Sequence, residues 1–158
     1  MKMRLLEKTI FIHQPREQVF EFFSKAENLD KVTPNWLNFK IITSTPIEMK
    51  KGAIIDYKLK LYGMPVKWQT EITEWQPPYR FIDVQVKGPY RLWVHEHIFE
   101  ERDGGTLMTD RVQYLAPGYF LEPIVHKLFV QRDVDRIFRH REKVFSNIFN
   151  TAKQTADH

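Results

Sequence analysis

The chain has 158 residues and a mass of 19.1 kDa, the size of one large domain, and it contains no cysteine. The lack of cysteine excludes disulfides, thiol nucleophiles and thiolate metal sites, while 42% apolar and 28% charged residues are typical of a folded globular protein. The net charge of +4 is spread thinly over both ends of the chain instead of forming a patch, so we expect no nucleic-acid partner.

The hydropathy pattern argues against a membrane protein. No stretch approaches the roughly 18 consecutive apolar residues that a membrane-spanning helix requires. Charged residues interrupt the first eight positions, where a signal peptide would need an apolar segment. We therefore expect a cytoplasmic protein without stable membrane insertion, and a single domain over residues 1–158 because no linker or repeat divides the chain.

Residues 3–34 predict a strand followed by two helices. Residues 3–12 are rich in β-branched and aromatic types and predict the strand. Pro15 suits the first turn of a helix whose apolar face is formed by Val19, Phe20, Phe22 and Phe23. A second short helix is predicted over residues 26–32, ending before Pro34.

The middle of the chain predicts a meander of antiparallel strands that pair in sequence order, since the turns between them are short. Turn residues such as Gly63, the pair Pro77 and Pro78, and the pair Asp103 and Gly104 separate the strands. The predicted strands are residues 39–44, 53–62, 65–75, 79–87, 91–101 and 106–115.

A long helix is predicted over residues 122–150, but its apolar face changes side near Arg132. Four apolar residues (Ile124, Val125, Leu128 and Phe129) share one face, and the later ones lie on the opposite face. We expect either a break near Arg132, with Asp133 as N-cap, or a first half that covers something the second half does not. The basic stripe of Arg132, Arg136, Arg139 and Lys143 is interpreted as a solvated face.

The hairpin at Asp103 and Gly104 allows the register of the last two strands to be predicted. A two-residue type I′ turn needs positive φ at both positions, which this pair accommodates. The resulting opposed pairs are Phe99 and Met108, His97 and Asp110, His95 and Val112, and Trp93 and Tyr114. The alternative register would separate the favourable pair of Glu96 and Arg111.

A second turn at Gly88 and Pro89 extends the prediction to the preceding strand. In that register Trp93 opposes Val84, and His95 opposes Ile82. One sheet face then collects apolar residues around three polar ones, His95, His97 and Asp110. Unpaired polar groups are costly to bury, so this pattern indicates a cavity with a polar end.

The order of elements and several motifs resemble the START/polyketide cyclase/birch-pollen-allergen-like (SRPBCC) superfamily, specifically a bacterial ligand-binding branch. The resemblance rests on Gln14-Pro15 followed by Val19-Phe20 after the first strand, and on the segments 92–100 and 104–114. It implies an α+β helix-grip fold, in which a sheet of six to seven strands wraps a long C-terminal helix and leaves an apolar cavity. It implies no shared catalytic residues.

Three interpretations of the polar cluster remain open. Two imidazoles and a carboxylate are the ligand set of some non-haem iron sites, but no further ligands follow at suitable spacing, so we expect no metal or other cofactor. His97 and Asp110, with His95, could form an acid/base set for a cyclase or dehydratase reaction. Alternatively, the three groups satisfy one another or a ligand through hydrogen bonds.

The favoured hypothesis is binding of a small hydrophobic molecule, such as a lipid, a polyketide or another aromatic metabolite. The alternatives are a cyclase or dehydratase acting in the same cavity and a co-chaperone-like protein-interaction module. The predicted ligand-binding residues are Tyr57, Trp68, Ile82, Val84, Trp93, His95, His97, Phe99, Met108, Asp110, Val112 and Tyr114.

Overall fold

The computed structural model describes residues 3–61 and 63–156, and of residues 120, 128, 129 and 150–156 it describes the backbone only. The strands are β1 (Arg4–Ile12), β2 (Lys40–Ile41), β3 (Ile54–Leu61), β4 (Met64–Gln76), β5 (Arg80–Lys87), β6 (Leu92–Arg102) and β7 (Gly105–Leu115). The α-helices are α1 (Arg16–Phe23), α2 (Leu29–Val32), α3 (Glu122–Val125) and α4 (Gln131–Ala156). Three short 3₁₀ turns (Ala26–Asn28, Asn35–Leu37 and Tyr119–Leu121) and a π-helical turn (His126–Val130) complete the described secondary structure.

All seven strands form one antiparallel sheet in the order β1-β7-β6-β5-β4-β3-β2. The meander is confirmed, because β2 to β7 pair in sequence order, and β1 adds to the far side of β7. The second strand is shorter than expected, two residues instead of the predicted 39–44. The other predicted strands agree with the structure to within one residue at each end.

The core lies between one face of this sheet and the helices. Phe20 and Phe23 of α1 pack with Phe99, Met108 and the α4 residue Phe145. Further along, a second buried cluster joins residues of β7 and the long helix: Val112, Tyr114, Ala116, Val130, Val134 and Phe138. Burial of this apolar surface is the main force that holds the helix on the sheet.

The C-terminal helical segment does not break at Arg132. Instead, its five-residue π turn ends at Val130, and α4 begins at Gln131, whose backbone has ordinary α-helical dihedral angles. One additional residue in a turn corresponds to about 100° of helix rotation, which realigns the two apolar faces. Asp133 is therefore inside the helix and is not its N-cap.

The spacing of buried residues along the helical segment also shows the one additional residue of the π turn. Val125 and Val130 are five residues apart, whereas Val130, Val134 and Phe138 follow at intervals of four. Ile124, predicted to share the apolar face, is 57% exposed, and the predictions for the side chains of residues 128 and 129 lie outside the described side chains. The stripe of Arg132, Arg136, Arg139 and Lys143 is exposed, as predicted.

Among the residues that the structure describes, none of the helices has the length and apolar content needed to cross a membrane.

Candidate functional site

A cavity of about 600 Å³ lies between the sheet and the helices. Strands β3 to β6 form one wall, α4 forms the opposite wall, and the segment that includes α2 closes the side. Most of the lining is apolar and aromatic. The sheet and its β5–β6 connection contribute Ile55, Tyr57, Leu59, Leu61, Trp68, Ile72, Phe81, Tyr90 and Trp93, and the helical segment contributes Val125, Val130, Val134, Ile137 and Phe138. A volume of this size is typical of sites for small organic ligands.

The β6–β7 register is confirmed, since Phe99 is opposite Met108, and His97 is opposite Asp110. Asp103 and Gly104 both have positive φ, 49° and 75°, as a type I′ turn requires. In this register His95, His97 and Asp110 are buried on the face of the sheet that carries the core.

The predicted β5–β6 register is wrong by one residue. Asp83 is opposite His95, and Val84 is opposite Val94. Four residues, not two, connect β5 and β6. Beside this connection the Gln85 side chain replaces backbone hydrogen bonds between the strands: it accepts from the N–H of Tyr90 and donates to the Tyr90 carbonyl. A one-residue shift exchanges the two faces of a strand, so Asp83 points toward the cavity.

The predicted ligand-binding residues therefore occupy three different places. Five of them line the cavity: Tyr57, Trp68, Trp93, His95 and His97. Five others are buried on the same sheet face but do not line it: Phe99, Met108, Asp110, Val112 and Tyr114. Ile82 and Val84 are corrected to the opposite face, because the shifted register turns them away from the cavity.

Two histidines, two carboxylates and one arginine form the polar cluster beside the cavity. His97 Nε2 is 2.6 Å from Asp83 Oδ2, and His95 Nε2 is 2.8 Å from Asp110 Oδ1. Arg141 donates from Nη2 to Asp110 Oδ1 at 3.3 Å. The two imidazole rings stack with centroids 3.7 Å apart, and Phe81 stacks on His97 at 4.0 Å. These contacts hold both rings in fixed orientations.

Asp83 and Arg141 were not among the predicted site residues. Asp83 was missed because the assumed turn placed it on the outer face of β5. Arg141 could have been found from helix periodicity, since it lies three residues after Phe138 and four before Phe145, both of which are buried. Arg141 itself is only 8% exposed.

The electrostatic environment shifts the pKa values of the two histidines in opposite directions. Burial and the neighbouring His97 lower the pKa of His95 below its ordinary value. Burial alone would also lower the pKa of His97, but its contacts with Asp110 and Asp83 outweigh burial and raise it. Burial would raise the pKa of Asp110, yet the Arg141 guanidinium and the two imidazoles hold it well below the usual range.

The pKa of Asp83, the carboxylate that faces the cavity, is lowered by its neighbours in the same way as that of Asp110. Burial opposes ionisation of Asp83, but the hydrogen bond from His97 and the charge of His95 lower its pKa. Close by, burial raises the pKa of Tyr57 well above its ordinary value, and the charge of Asp83 adds to the effect. The phenol of Tyr57 is therefore neutral and the Asp83 carboxylate ionised at neutral pH.

We expect the two histidines to titrate on opposite sides of pH 6.5, with His97 mostly protonated and His95 mostly neutral at that pH. Because the pKa of His97 is raised by folding, its stabilising contribution is full below about pH 6.5 and is lost as the pH rises through the folded value. His95 acts in the opposite sense and destabilises the fold as the pH falls below about 6.5.

Ring ¹⁵N chemical shifts measured against pH test this expectation, with the His95→Asn variant used for assignment. Two titrations with the same midpoint would contradict it.

The cluster contains a possible metal-ligand set that differs from the predicted one. Ligand atoms of Asp83, His95 and His97 lie within 4.8 Å of one another. However, the 2.6 Å separation of Asp83 and His97 is a direct hydrogen bond, shorter than the roughly 3.3 Å between two ligands bound at about 2.0 Å to one tetrahedral ion. Stacked imidazoles also direct their lone pairs along nearly parallel planes and so cannot both point at one ion. The observed arrangement favours hydrogen bonding over metal binding.

A second polar group anchors the helical segment to the sheet. The Tyr114 hydroxyl and His126 Nε2 are 2.8 Å apart, so the π turn is tied directly to β7. Glu122, at the start of α3, is 2% exposed and pairs with Arg4 of β1 at 2.9 Å. Neither pair lines the cavity, and both fix the position of the segment that carries Val125.

Solved structures of low sequence identity share this fold. The ZhuI aromatase/cyclase from a Streptomyces species has a TM-score of 0.73 and 15% identity, with 94% of each chain covered. Ara h 8.0201 has a TM-score of 0.66 and 14% identity, covering 95% of this chain and 99% of its own. Protein Ms6760 from Mycobacterium smegmatis has a TM-score of 0.66 and 18% identity, covering 100% of this chain and 99% of its own. These similarities confirm the helix-grip fold.

A comparison with curated proteins gave no match. A family model, in contrast, matches most of the chain, over residues 12–140, and is described as "Polyketide cyclase / dehydrase and lipid transport". That range extends from the end of β1 into α4 and includes every residue of the polar cluster except Arg141. The chain therefore belongs to the polyketide cyclase/dehydrase and lipid transport family, within the START/polyketide cyclase (SRPBCC) superfamily.

Proposed function

We propose that residues 1–158 act as one domain that binds a small hydrophobic molecule in the cavity between the sheet and α4. The observation that carries this proposal is the cavity itself, about 600 Å³ with a largely apolar and aromatic lining. An apolar ligand of that size would gain binding free energy by leaving water.

The polar cluster supports a ligand with at least one polar group. Asp83, His95 and His97 line the cavity beside aromatic residues, and the polar residue Thr70 of β4 also lines it. A carbonyl or hydroxyl of the ligand would hydrogen bond there, while the rest of the molecule packs against the aromatic wall. Lipids, polyketides and other aromatic metabolites with such a group fit this description.

A fatty acid or an apolar dye is expected to bind with one-to-one stoichiometry and to change the emission of Trp68 and Trp93, which line the cavity. Ile137→Trp should weaken binding by about tenfold or more, because the larger side chain fills space that the ligand needs. Fluorescence titration measures the affinity, and native mass spectrometry of the purified protein detects a co-purified lipid.

Arg139→Trp is the matched control, since Arg139 lies two residues away on the exposed face of α4. A folded Ile137→Trp protein that binds the probe as tightly as the Arg139→Trp protein would contradict the cavity as the binding site.

The second candidate is an enzyme of the cyclase or dehydratase kind. The observation that favours it is the hydrogen bond between Asp83 and His97 at the cavity wall, since a carboxylate that orients an imidazole is a common acid/base arrangement. The third hypothesis, a protein-interaction module, would be favoured by a filled interior together with an exposed apolar groove. The cavity gives that hypothesis no support.

A further inference from the structure

Five lysines lie on the outer face of the sheet near the β3–β4 turn, and we call this surface the lysine face: Lys40, Lys58, Lys60, Lys67 and Lys87. All five are exposed, whereas Leu59 and Trp68, which alternate with Lys58, Lys60 and Lys67, are buried on the cavity side. A β-bulge in β5 places Lys87 opposite Gln69, on the outer face. Lys58 is directly opposite Lys40 on one neighbouring strand and directly opposite Lys67 on the other.

This arrangement places like charges side by side on neighbouring strands. Directly opposed residues on neighbouring strands have Cα atoms about 4.5–5.5 Å apart, and like charges at that separation destabilise a sheet. None of the five lysines forms an ion pair with any residue in the described part of the chain. Three lysines elsewhere form ion pairs, Lys25 with Glu21, Lys50 with Glu48 and Lys51 with Glu74, although others such as Lys8 and Lys31 form none with the described residues. An anionic partner would remove the repulsion.

Exposed apolar side chains lie at the end of the sheet next to the lysine face. Met64 begins β4 at the turn and is 68% exposed. In this antiparallel topology the β3–β4 turn and the segment that follows β7 lie at the same end of the sheet. That segment exposes Leu121 and Ile124. Leu61, the cross-strand partner of Met64, and Val125, which follows Ile124, line the cavity.

From this combination we propose that the protein docks peripherally on an anionic lipid bilayer through the lysine face and Met64, Leu121 and Ile124. Lysine ammonium groups would contact the lipid phosphates, and the apolar side chains would enter the interface between headgroups and acyl chains. An acidic protein would satisfy the lysines but would leave the apolar side chains without a role. Docking would place the cavity beside the bilayer, and it does not depend on which ligand the cavity binds.

Co-sedimentation with vesicles tests the proposal. The wild-type protein should bind vesicles containing 40% phosphatidylglycerol in phosphatidylcholine and should bind pure phosphatidylcholine vesicles weakly. The combined variant Lys58→Gln/Lys60→Gln/Lys67→Gln should bind the anionic vesicles about a hundredfold less tightly, because each lysine near an anionic surface contributes roughly a fivefold factor. Met64→Ser should weaken binding even at a salt concentration that screens the charges.

The matched control is Lys25→Gln/Lys50→Gln/Lys51→Gln, which removes the same number of charges from exposed lysines that pair with acids elsewhere. Equal binding by the two triple variants would overturn the proposal, because net charge alone would then explain it. Equal wild-type binding to neutral and anionic vesicles would also overturn it. The proposal would also be overturned if poly-glutamate-coated beads captured the protein but vesicles did not bind it. That result would indicate an acidic protein as the partner of the lysine face.

Discussion

Replacement of Arg141 with leucine is expected to lower the free energy of unfolding at pH 7 by about 3–5 kcal/mol, the typical effect of leaving a buried charge without its partner. Arg141 is the only cation with a permanent charge that contacts Asp110 among the described residues, and Asp110 is 5% exposed. Without the guanidinium, the carboxylate would retain the histidine contacts but lose the strongest influence that keeps it ionised.

The pH dependence of this effect identifies its cause. In the wild-type protein the lowered pKa of Asp110 contributes stability that is present above about pH 4 and is lost as the pH falls through the folded value. In the variant, burial would raise that pKa, so the deficit relative to the wild type should shrink as the pH falls toward 4. Urea unfolding at pH 7 and pH 4.5 measures both effects.

Arg139→Leu serves as the control, because Arg139 is exposed and hydrogen bonds only to the backbone of Asp135. Its effect should stay within about 0.5 kcal/mol. Adding Asp110→Asn to the Arg141 variant should recover part of the lost stability by removing the unpaired charge. If Arg141→Leu unfolds at the same urea concentration as Arg139→Leu, the contact between Arg141 and Asp110 does not contribute about 3–5 kcal/mol to the free energy of unfolding.

Asp83→Asn is expected to change the affinity for a bound ligand by about fivefold to thirtyfold, the scale of one charge-assisted hydrogen bond. Asp83, rather than Asp110, is the informative position, because Asp83 lines the cavity and Asp110 lies behind the histidines. The amide keeps the shape of the carboxylate but removes one of the two charges, those of Asp110 and Asp83, that raise the pKa of His97. The pH at which binding changes should therefore move downward.

Turnover measured on the Asp83→Asn variant distinguishes a binding protein from an enzyme. If the domain is an enzyme, Asp83→Asn should reduce turnover by about a hundredfold and leave the affinity nearly unchanged. Asp56→Asn is the control, because Asp56 hydrogen bonds to Gln69 away from the cavity lining. Equal effects of Asp83→Asn and Asp56→Asn on both affinity and turnover would rule out a specific role for Asp83.

The two hairpins show which part of the fold could be predicted from the sequence. The register of β6 and β7 follows from Asp103 and Gly104, whose backbone preferences admit essentially one turn type. The register of β5 and β6 depends on a tertiary detail, the Gln85 side chain that hydrogen bonds to Tyr90. A Cβ at Gly88 would lie 2.5 Å from Gln85 Oε1, so this glycine makes room for that side chain instead of forming a two-residue turn.

The contacts of the candidate site could be predicted only where they depend on the hairpin between β6 and β7. The contacts of His95 with Asp110 depend on the well-predicted hairpin, and the proximity of these residues could be anticipated. The contact of His97 with Asp83 depends on the other hairpin and could not. Helix periodicity places Arg141 on the buried face of α4, but its contact with Asp110 depends on where α4 crosses the sheet, which local sequence patterns do not encode.

The π turn at His126–Val130 has a consequence for how this fold can diversify. One residue of chain length sets the rotational phase of α3 relative to α4, while α4 keeps its own contacts with β1 and β7. Insertion or deletion of a single residue here would change which side chain stands where Val125 now lines the cavity, without altering the sheet. The lining of the cavity can thus evolve through loss or gain of one codon, a route that leaves the Asp83–His97 and Asp110–Arg141 contacts in place.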